Sequence, residues 1–137
     1  MASQYRDMGL STQTLAGGVS IDWIQPFDIS DWKDLAYQID VLLNSQANDT
    51  DTKFKWQTAM SIDQYVVWSD VLAVTNISRT VGTTYSGDLG TGLTSIGLTG
   101  TALVPWKRFA KLVVVNTNAS ATTVTLHTAF LLKERTT

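Results

Sequence analysis

Apolar and polar residues alternate along most of the chain, with the period of two expected of strands that bury one face. Residues 65–68 and 71–77 are instead apolar on both faces, which predicts central strands or strands that face a partner. Clusters of turn-forming residues separate the segments. The alternating segments are 19–23, 34–43, 53–60, 108–115 and 122–133. The inward faces of the two clearest are Leu35, Tyr37, Ile39, Val41 and Leu43, and Phe54, Trp56, Thr58 and Met60.

The amino-acid composition supports a β-rich fold. The chain contains 20 Thr, 12 Val and 7 Ile, and these β-branched residues pack well on pleated surfaces but lose rotamer freedom in helices. Its acidic residues are 11 Asp against a single Glu, and Asp favours turns and caps over helix interiors. No segment shows a convincing helical period. We therefore predict an all-β, antiparallel β-sandwich or jelly-roll-like fold of about seven to nine strands.

The same pattern divides the chain into an arm and one domain. Residues 1–17 show no apolar period, so we expect a flexible, extended N-terminal arm that the fold does not require. Residues 18–137 are expected to form a single sandwich domain. Six of the nine glycines lie between positions 82 and 100, which predicts a long Gly-rich loop at 82–101. Loops of this length in compact domains are usually functional or become ordered on binding.

Charge and composition exclude several functions. The formal net charge of −2 provides no strong field for nucleic acid or an anionic membrane. The chain has no cysteine and one histidine, which excludes disulfides, thiol nucleophiles and multi-histidine metal sites. We see no signal-peptide pattern and no apolar run of the ~20 residues that span a bilayer. We expect a protein assembled in a host cytoplasm, without nucleic-acid or membrane partners.

Few side chains suggest catalysis. The sequence contains no serine or cysteine nucleophile motif that would make His127 a member of a catalytic triad. In the strand period His127 lies on the face opposite to Val124, Leu126 and Phe130, so we predict that it points outward and has a structural or interface role. Two groups of acidic residues could form a glycosidase pair or hold a hard cation, but neither matches a complete loop signature, which favours solvated turns. We predict no catalytic, metal-binding or cofactor-binding residue, and not an enzyme. The acidic groups are Asp28, Asp31 and Asp34, and Asp49 and Asp51.

Tryptophans and basic residues offer binding alternatives. Trp23 and Trp56 follow the inward period, whereas Trp32 and Trp106 fall in or beside loops and could stack on sugars or contact a subunit. A basic patch would form if the last two long strands paired as a hairpin, and we interpret it as a contact with an acidic protein partner rather than with nucleic acid. Its residues would be Lys107, Arg108, Lys111, Lys133 and Arg135.

Four stretches resemble the small β-sandwich virion proteins of tailed bacteriophages, including head decoration (cement) proteins. They are the polar arm 1–17; residues 27–30 with the strand 34–43; residues 56–63 leading to Trp68; and the strand 105–115 with a Thr-rich partner ending at 131–133. The resemblance covers about residues 19–133 as a pattern. The chain departs from the common small trimeric decoration folds in its single long Gly-rich insertion.

The resemblance implies a non-enzymatic structural protein on the capsid exterior. It would form a homotrimer that binds the major capsid protein, with the arm and the Gly-rich loop gripping the shell. The alternative is a carbohydrate-binding or receptor-binding module of a tail or fibre, using Trp32, Trp106 and Asp side chains. A small glycosidase is the third and weakest hypothesis. The predicted partner contacts are Tyr5, Arg6, Trp32, Trp68, Tyr85, Leu89, Trp106 and Arg108.

Overall fold

The structure, a computed structural model, describes residues 3–29, 32–63, 66–89 and 108–134. Nine strands form in these residues, and no helix there is long and apolar enough to cross a membrane. The strands are β1 (Ser3–Leu15), β2 (Ser20–Asp28), β3 (Trp32–Asn44), β4 (Thr52–Ala59), β5 (Ser69–Asp70), β6 (Thr75–Asn76), β7 (Thr84–Asp88), β8 (Phe109–Asn116) and β9 (Thr122–Glu134).

The strands form two antiparallel sheets packed face to face. Sheet A has the order β1-β9-β3-β7, and sheet B has the order β2-β8-β4-β5, with β6 also paired to β4. The inward faces of β3 and β9 meet those of β4 and β8 in one apolar core. The prediction of an all-β antiparallel sandwich is confirmed.

An aromatic cluster lies at the centre of the core. The Trp56 ring on β4 packs against Tyr37 on β3, with ring centroids 5.5 Å apart, and against Phe130 on β9 at 6.4 Å. Phe27 on β2 stacks on Phe130 at 4.6 Å. Because these rings come from both sheets, their burial joins the two layers of the sandwich. The predicted inward period of β4 ends at Thr58, since Met60 is 65% exposed.

The prediction of a separate N-terminal arm is wrong. Residues 3–15 form β1, an edge strand of sheet A that pairs with β9 from Ser3↔Lys133 to Leu15↔Thr122. The strand carries no apolar period because sheet B does not cover it, and β1 is exposed along nearly its whole length up to the buried Leu15. The sandwich therefore includes residues 3–15, which were assigned to the arm.

Three further predictions are corrected. Of the segments 65–68 and 71–77, the described part contributes only the two-residue strand β6, and the equally short β5 lies between the two segments; β5 is at the edge of sheet B and β6 pairs with β4 beside it, so neither segment is a central strand. Part of the predicted 82–101 loop is β7, which pairs with β3, and residues 90–107 lie outside the described residues. The strands β8 and β9 belong to different sheets and do not form a hairpin, because their connecting turn crosses the sandwich.

Buried amides hold one end of the sandwich together. Asn116 at the end of β8 donates to the carbonyl oxygens of Leu15, Ala16 and Ser120. The Oδ1 atom of Asn116 accepts a hydrogen bond of 2.9 Å from the Gln46 side-chain amide. The adjacent turn contains Gly17, where an added Cβ would overlap the Ala119 carbonyl oxygen, so only glycine fits.

Candidate functional site

The outer face of sheet A brings the lone histidine into a regular array of side chains. In one row of the strand ladder, Ala129 on β9 pairs with Asp7 on β1 at one side and with Gln38 on β3 at the other. The next row places His127 beside Asp40, with Thr84 of β7 beyond it. The prediction that His127 faces away from the core is confirmed.

His127 lies between two carboxylates. Its Nε2 is 2.6 Å from Asp7 Oδ1 on β1, and its Nδ1 is 3.7 Å from Asp40 Oδ2 on β3. Asp40 Oδ1 also accepts from the Thr84 hydroxyl at 2.7 Å and the Gln38 amide at 3.2 Å. The contacts cross all four strands of sheet A, so they orient the polar groups of this face. Among the described residues, no group of three acidic or imidazole side chains is arranged to hold a metal ion.

The protonation state of Asp7 makes the stability of the fold depend on pH. Hydrogen bonds from His127 and from the Gly9 backbone amide hold the pKa of the Asp7 carboxyl below its ordinary value. A carboxyl with a lowered pKa in the folded state stabilises the fold above its unfolded pKa, and that stabilisation is lost as pH falls through the folded pKa. We therefore expect stability to decrease below about pH 4, and Asp7→Asn to remove part of this decrease.

The measurement is the urea midpoint from about pH 2 to pH 6. Asp63→Asn, in the exposed loop after β4, is the control and should leave the profile unchanged. Identical acid profiles for the wild type and Asp7→Asn would contradict the assignment.

A hollow of about 280 Å³ lies beside these polar groups. Its floor is formed by the small side chains Ala36 and Ala129, and its apolar wall by Tyr5 and Leu131. The rest of the lining is polar: Asp40 and His127 lie two rows of the ladder away from Tyr5 and Leu131, and Gln38 lies in the row between, beside Ala129. Sequence analysis missed this grouping, because the strand period predicts which residues point outward but not which strands are neighbours.

The free edge of β1 is the second exposed feature. Within the described residues β1 pairs with β9 alone, which leaves the outer backbone edge of a 13-residue strand without a partner strand. Along it Tyr5, Met8 and Leu10 are 65%, 47% and 63% exposed. One irregularity interrupts the strand between Asp7 and Gly9, and Gly9 adopts the positive φ of 73° that this bulge uses. Long free edges with exposed apolar side chains readily pair with other chains.

Some predicted contact residues are exposed. Tyr5 and Arg6 lie on β1. The Arg108 side chain is 58% exposed, although it pairs with Asp28 at 3.4 Å. Trp32 and Trp68 are half-buried, and Lys111 lies over the Trp68 ring at 4.4 Å from its centroid. These residues do not form one surface, since Tyr5 belongs to sheet A and Trp68 covers sheet B.

Two other predicted contact residues, Tyr85 and Leu89, pack into the core or against it. Leu89 is 2% exposed and donates its backbone amide to the Leu35 carbonyl, so the prediction that Leu89 contacts a partner is wrong. Tyr85 packs on Phe54 at 5.4 Å, and its hydroxyl accepts from the Ser78 amide. Tyr85 lies on β7 and packs against the core, and Leu89, directly after β7, belongs to the core itself. Trp106 lies outside the described residues.

The basic patch is divided by the fold. Lys111, on sheet B, pairs with Asp22 at 3.1 Å. Lys133, on sheet A, lies 3.6 Å from Asp34 and 3.5 Å from Asp88. Because β8 and β9 lie in different sheets, these two lysines are not on one surface. Lys107 and Arg135 lie outside the described residues.

The acidic groups serve local structure. Asp51 accepts hydrogen bonds from the Asn48 and Asn118 side chains at 2.9 and 2.7 Å, which lower the pKa of the Asp51 carboxyl. Asp49 accepts from the Arg79 backbone amide. These contacts fit the interpretation of residues 48–51 as a turn. Asp31 lies outside the described residues.

The fold defines the class of protein as an antiparallel β-sandwich. No protein family model and no curated protein sequence matches the chain. Among solved structures it is similar to the VP2 subviral particle of infectious bursal disease virus, with a TM-score of 0.53 and 9% identity over 97% of this chain. This chain spans only 33% of the VP2 chain. Such low identity shows a shared fold and no more.

The chain is also similar to two further solved structures. One comes from Bacillus endospore appendages, described as disulfide-linked pili, with a TM-score of 0.49 and 10% identity over 97% of this chain and 89% of that one. The other is the CBM22-1 xylan-binding domain from Paenibacillus barcinonensis Xyn10C, with a TM-score of 0.45 and 9% identity over 96% of this chain and 87% of that one.

Proposed function

We propose that this protein is a non-enzymatic structural subunit of a virion, a decoration protein that forms homotrimers and binds the major capsid protein on the capsid exterior. The observation that carries the proposal is the free edge of β1. A monomer usually protects such an edge with charges, proline, bulges or a covering loop, whereas the 13 residues of β1 contain one bulge, between Asp7 and Gly9, and only Arg6 and Asp7 as charged residues.

The trimer contact is proposed to be head-to-tail. A cyclic trimer requires two different surfaces on each subunit, one of which meets the other on the next copy. The β1 edge is one such surface. Main-chain hydrogen bonds to a neighbouring segment would satisfy its unpaired backbone groups, as in other cases of strand addition.

The capsid contact is proposed to use a second exposed apolar site. The loop after β4 exposes Met60, Ile62 and Val67 at 65%, 60% and 76%. Three large apolar side chains this exposed in one short loop are typical of a binding surface. The loop follows sheet B, whereas β1 borders sheet A, so the two contacts involve different parts of the subunit.

Solution mass tests the trimer. Light scattering should give three times the 15.0 kDa of the chain for the wild type. A variant with Met8→Lys and Gln13→Lys should be monomeric, because lysine on an edge strand opposes strand addition. The control carries Thr80→Lys and Val81→Lys, which place the same charges in an exposed turn away from β1. A monomeric wild type, or a trimer that survives the β1 variant, would contradict the contact.

Immunogold labelling of the producing cells, with an antibody raised against the purified chain, determines where the protein lies. Label on the outer surface of virus particles supports the decoration role. Label confined to cell walls, or to tails and fibres, would overturn it and favour the binding-module alternative. That alternative cannot use a platform built on Trp32 alone, because Trp32 packs partly against the core.

A further inference from the structure

The structure assigns a second activity to this sandwich: the hollow on the outer face of sheet A, bounded by Tyr5 and His127, is a binding site for a neutral sugar unit. We infer this from the shape and chemistry of the hollow. It goes beyond the assembly function and does not depend on it.

The shape suits one flat ring. The volume of about 280 Å³ is near the lower end of small-ligand sites, of order 300 Å³, and thus fits a single terminal residue of an exposed glycan. Ala36 and Ala129 leave the floor free of long side chains, although larger residues surround them on the sheet. The hollow results from small residues on adjacent strands β3 and β9 and does not depend on a loop.

The walls supply the two kinds of contact that a sugar requires. Tyr5 is 65% exposed and presents an aromatic ring at one side, where the C–H face of a pyranose can stack. Gln38, Asp40 and His127 present amide, carboxylate and imidazole groups at the other side for hydroxyl groups. An exposed aromatic ring opposite a mixed set of donors and acceptors is suited to a ligand with both an apolar face and a ring of hydroxyls.

The polar wall is oriented before a ligand binds. Asp40 is held by hydrogen bonds from Thr84 and Gln38, and His127 is held by Asp7. Side chains fixed in this way lose little rotamer freedom on binding, so more of each new hydrogen bond contributes to affinity.

The negative charge around the hollow determines which class of sugar it can bind. Asp40 and His127 line the hollow, and His127 lies between the carboxylate of Asp40 on β3 and that of Asp7 on β1. An acidic sugar would bring a third carboxylate into this group and be repelled. The site therefore favours neutral hexoses or pentoses over sialic or uronic acids.

The test is an array of immobilised glycans probed with the full chain, with neutral gluco-, galacto-, manno- and xylo-configured oligosaccharides in one arm. Sialylated and uronate-containing glycans form the other arm. Retention in the neutral arm is expected. Tyr5→Ala should weaken that retention by roughly fivefold to tenfold through loss of ring stacking. Ala129→Trp should abolish it by filling the hollow, while far-UV circular dichroism shows an intact sandwich.

Val74→Ala is the control, because Val74 is an exposed apolar side chain (45%) between β5 and β6 of sheet B, outside the hollow on sheet A. It should bind as the wild type does. No neutral glycan retained, retention only of acidic glycans, or unchanged retention by both Tyr5→Ala and Ala129→Trp would each overturn the site. The solution mass of the same samples reports on assembly separately, so failure of one proposal does not imply failure of the other.

Discussion

Replacing Trp56 by alanine should lower the free energy of unfolding by about 4 kcal/mol, within the range for large aromatic residues removed from a core. Trp56 is 1% exposed, and its ring contacts Phe27, Tyr37 and Phe130. Since Tyr37 and Phe130 belong to the opposite sheet, the cavity would open between the two layers, where neither sheet can relax into it alone. Urea unfolding followed by circular dichroism measures the loss.

Trp56→Phe separates volume from hydrogen bonding. Within the described residues the Trp56 Nε1 has no hydrogen-bond partner, so its removal leaves no acceptor unpaired. We expect a cost of only about 1–2 kcal/mol, from the smaller ring. Trp68→Ala, at a half-buried ring outside sheet B, is a control that should cost less than Trp56→Ala. A phenylalanine variant as unstable as the alanine variant would show that Nε1 has an acceptor in the folded protein.

The sequence was sufficient to predict the strands that bury one face in the core. The period in 34–43 predicted β3, and Leu35, Tyr37, Ile39 and Val41 face inward as expected. The prediction failed at Leu43, which is 40% exposed, because the ladder to β9 shifts register between Val41 and Leu43. A register shift depends on the partner strand, so no local pattern reveals it.

The sequence-based prediction failed mainly at the edge strands. Both faces of β1 are solvated over most of its length, so its residues are free to be polar and show no period. What makes it a strand is the backbone ladder to β9, which the sequence of residues 3–15 does not encode by itself. Pro26 in β2 is the converse case: it is tolerated because β2 is also an edge strand.

The candidate site could be predicted only in part. The period placed His127 outward, and the same argument applies to Gln38, Asp40 and Ala129. Their convergence depends on β3 and β9 being neighbours, whereas the sequence suggested that β8 and β9 pair. Long-range strand order is set by how the whole core packs, and 13 residues of one strand contain little of that information.

The second large effect is expected at Asn116, which is fully buried and joins three turns. Its side chain donates to Leu15, Ala16 and Ser120 carbonyls and accepts from Gln46. Asn116→Ala would leave these buried groups without their partner, at a cost of about 3 kcal/mol. Asn48→Ala is the control: Asn48 is exposed and its side chain donates to the nearby Asp51 at 2.9 Å, so the substitution should cost less than about 1 kcal/mol.

Asn116→Asp tests the direction of these bonds with almost no change in volume. An ionised carboxylate would face three carbonyl oxygens, so at neutral pH we expect a larger loss of stability than for alanine. Burial and repulsion would raise the pKa of the new carboxyl, and protonation restores one donor. The stability difference from the wild type should therefore narrow as pH falls, when both proteins are compared at each pH by urea unfolding. An aspartate variant as stable as the wild type at neutral pH would show that the Asn116 amide does not donate to these carbonyls, and that other contacts hold the β1–β2 turn to the end of β8.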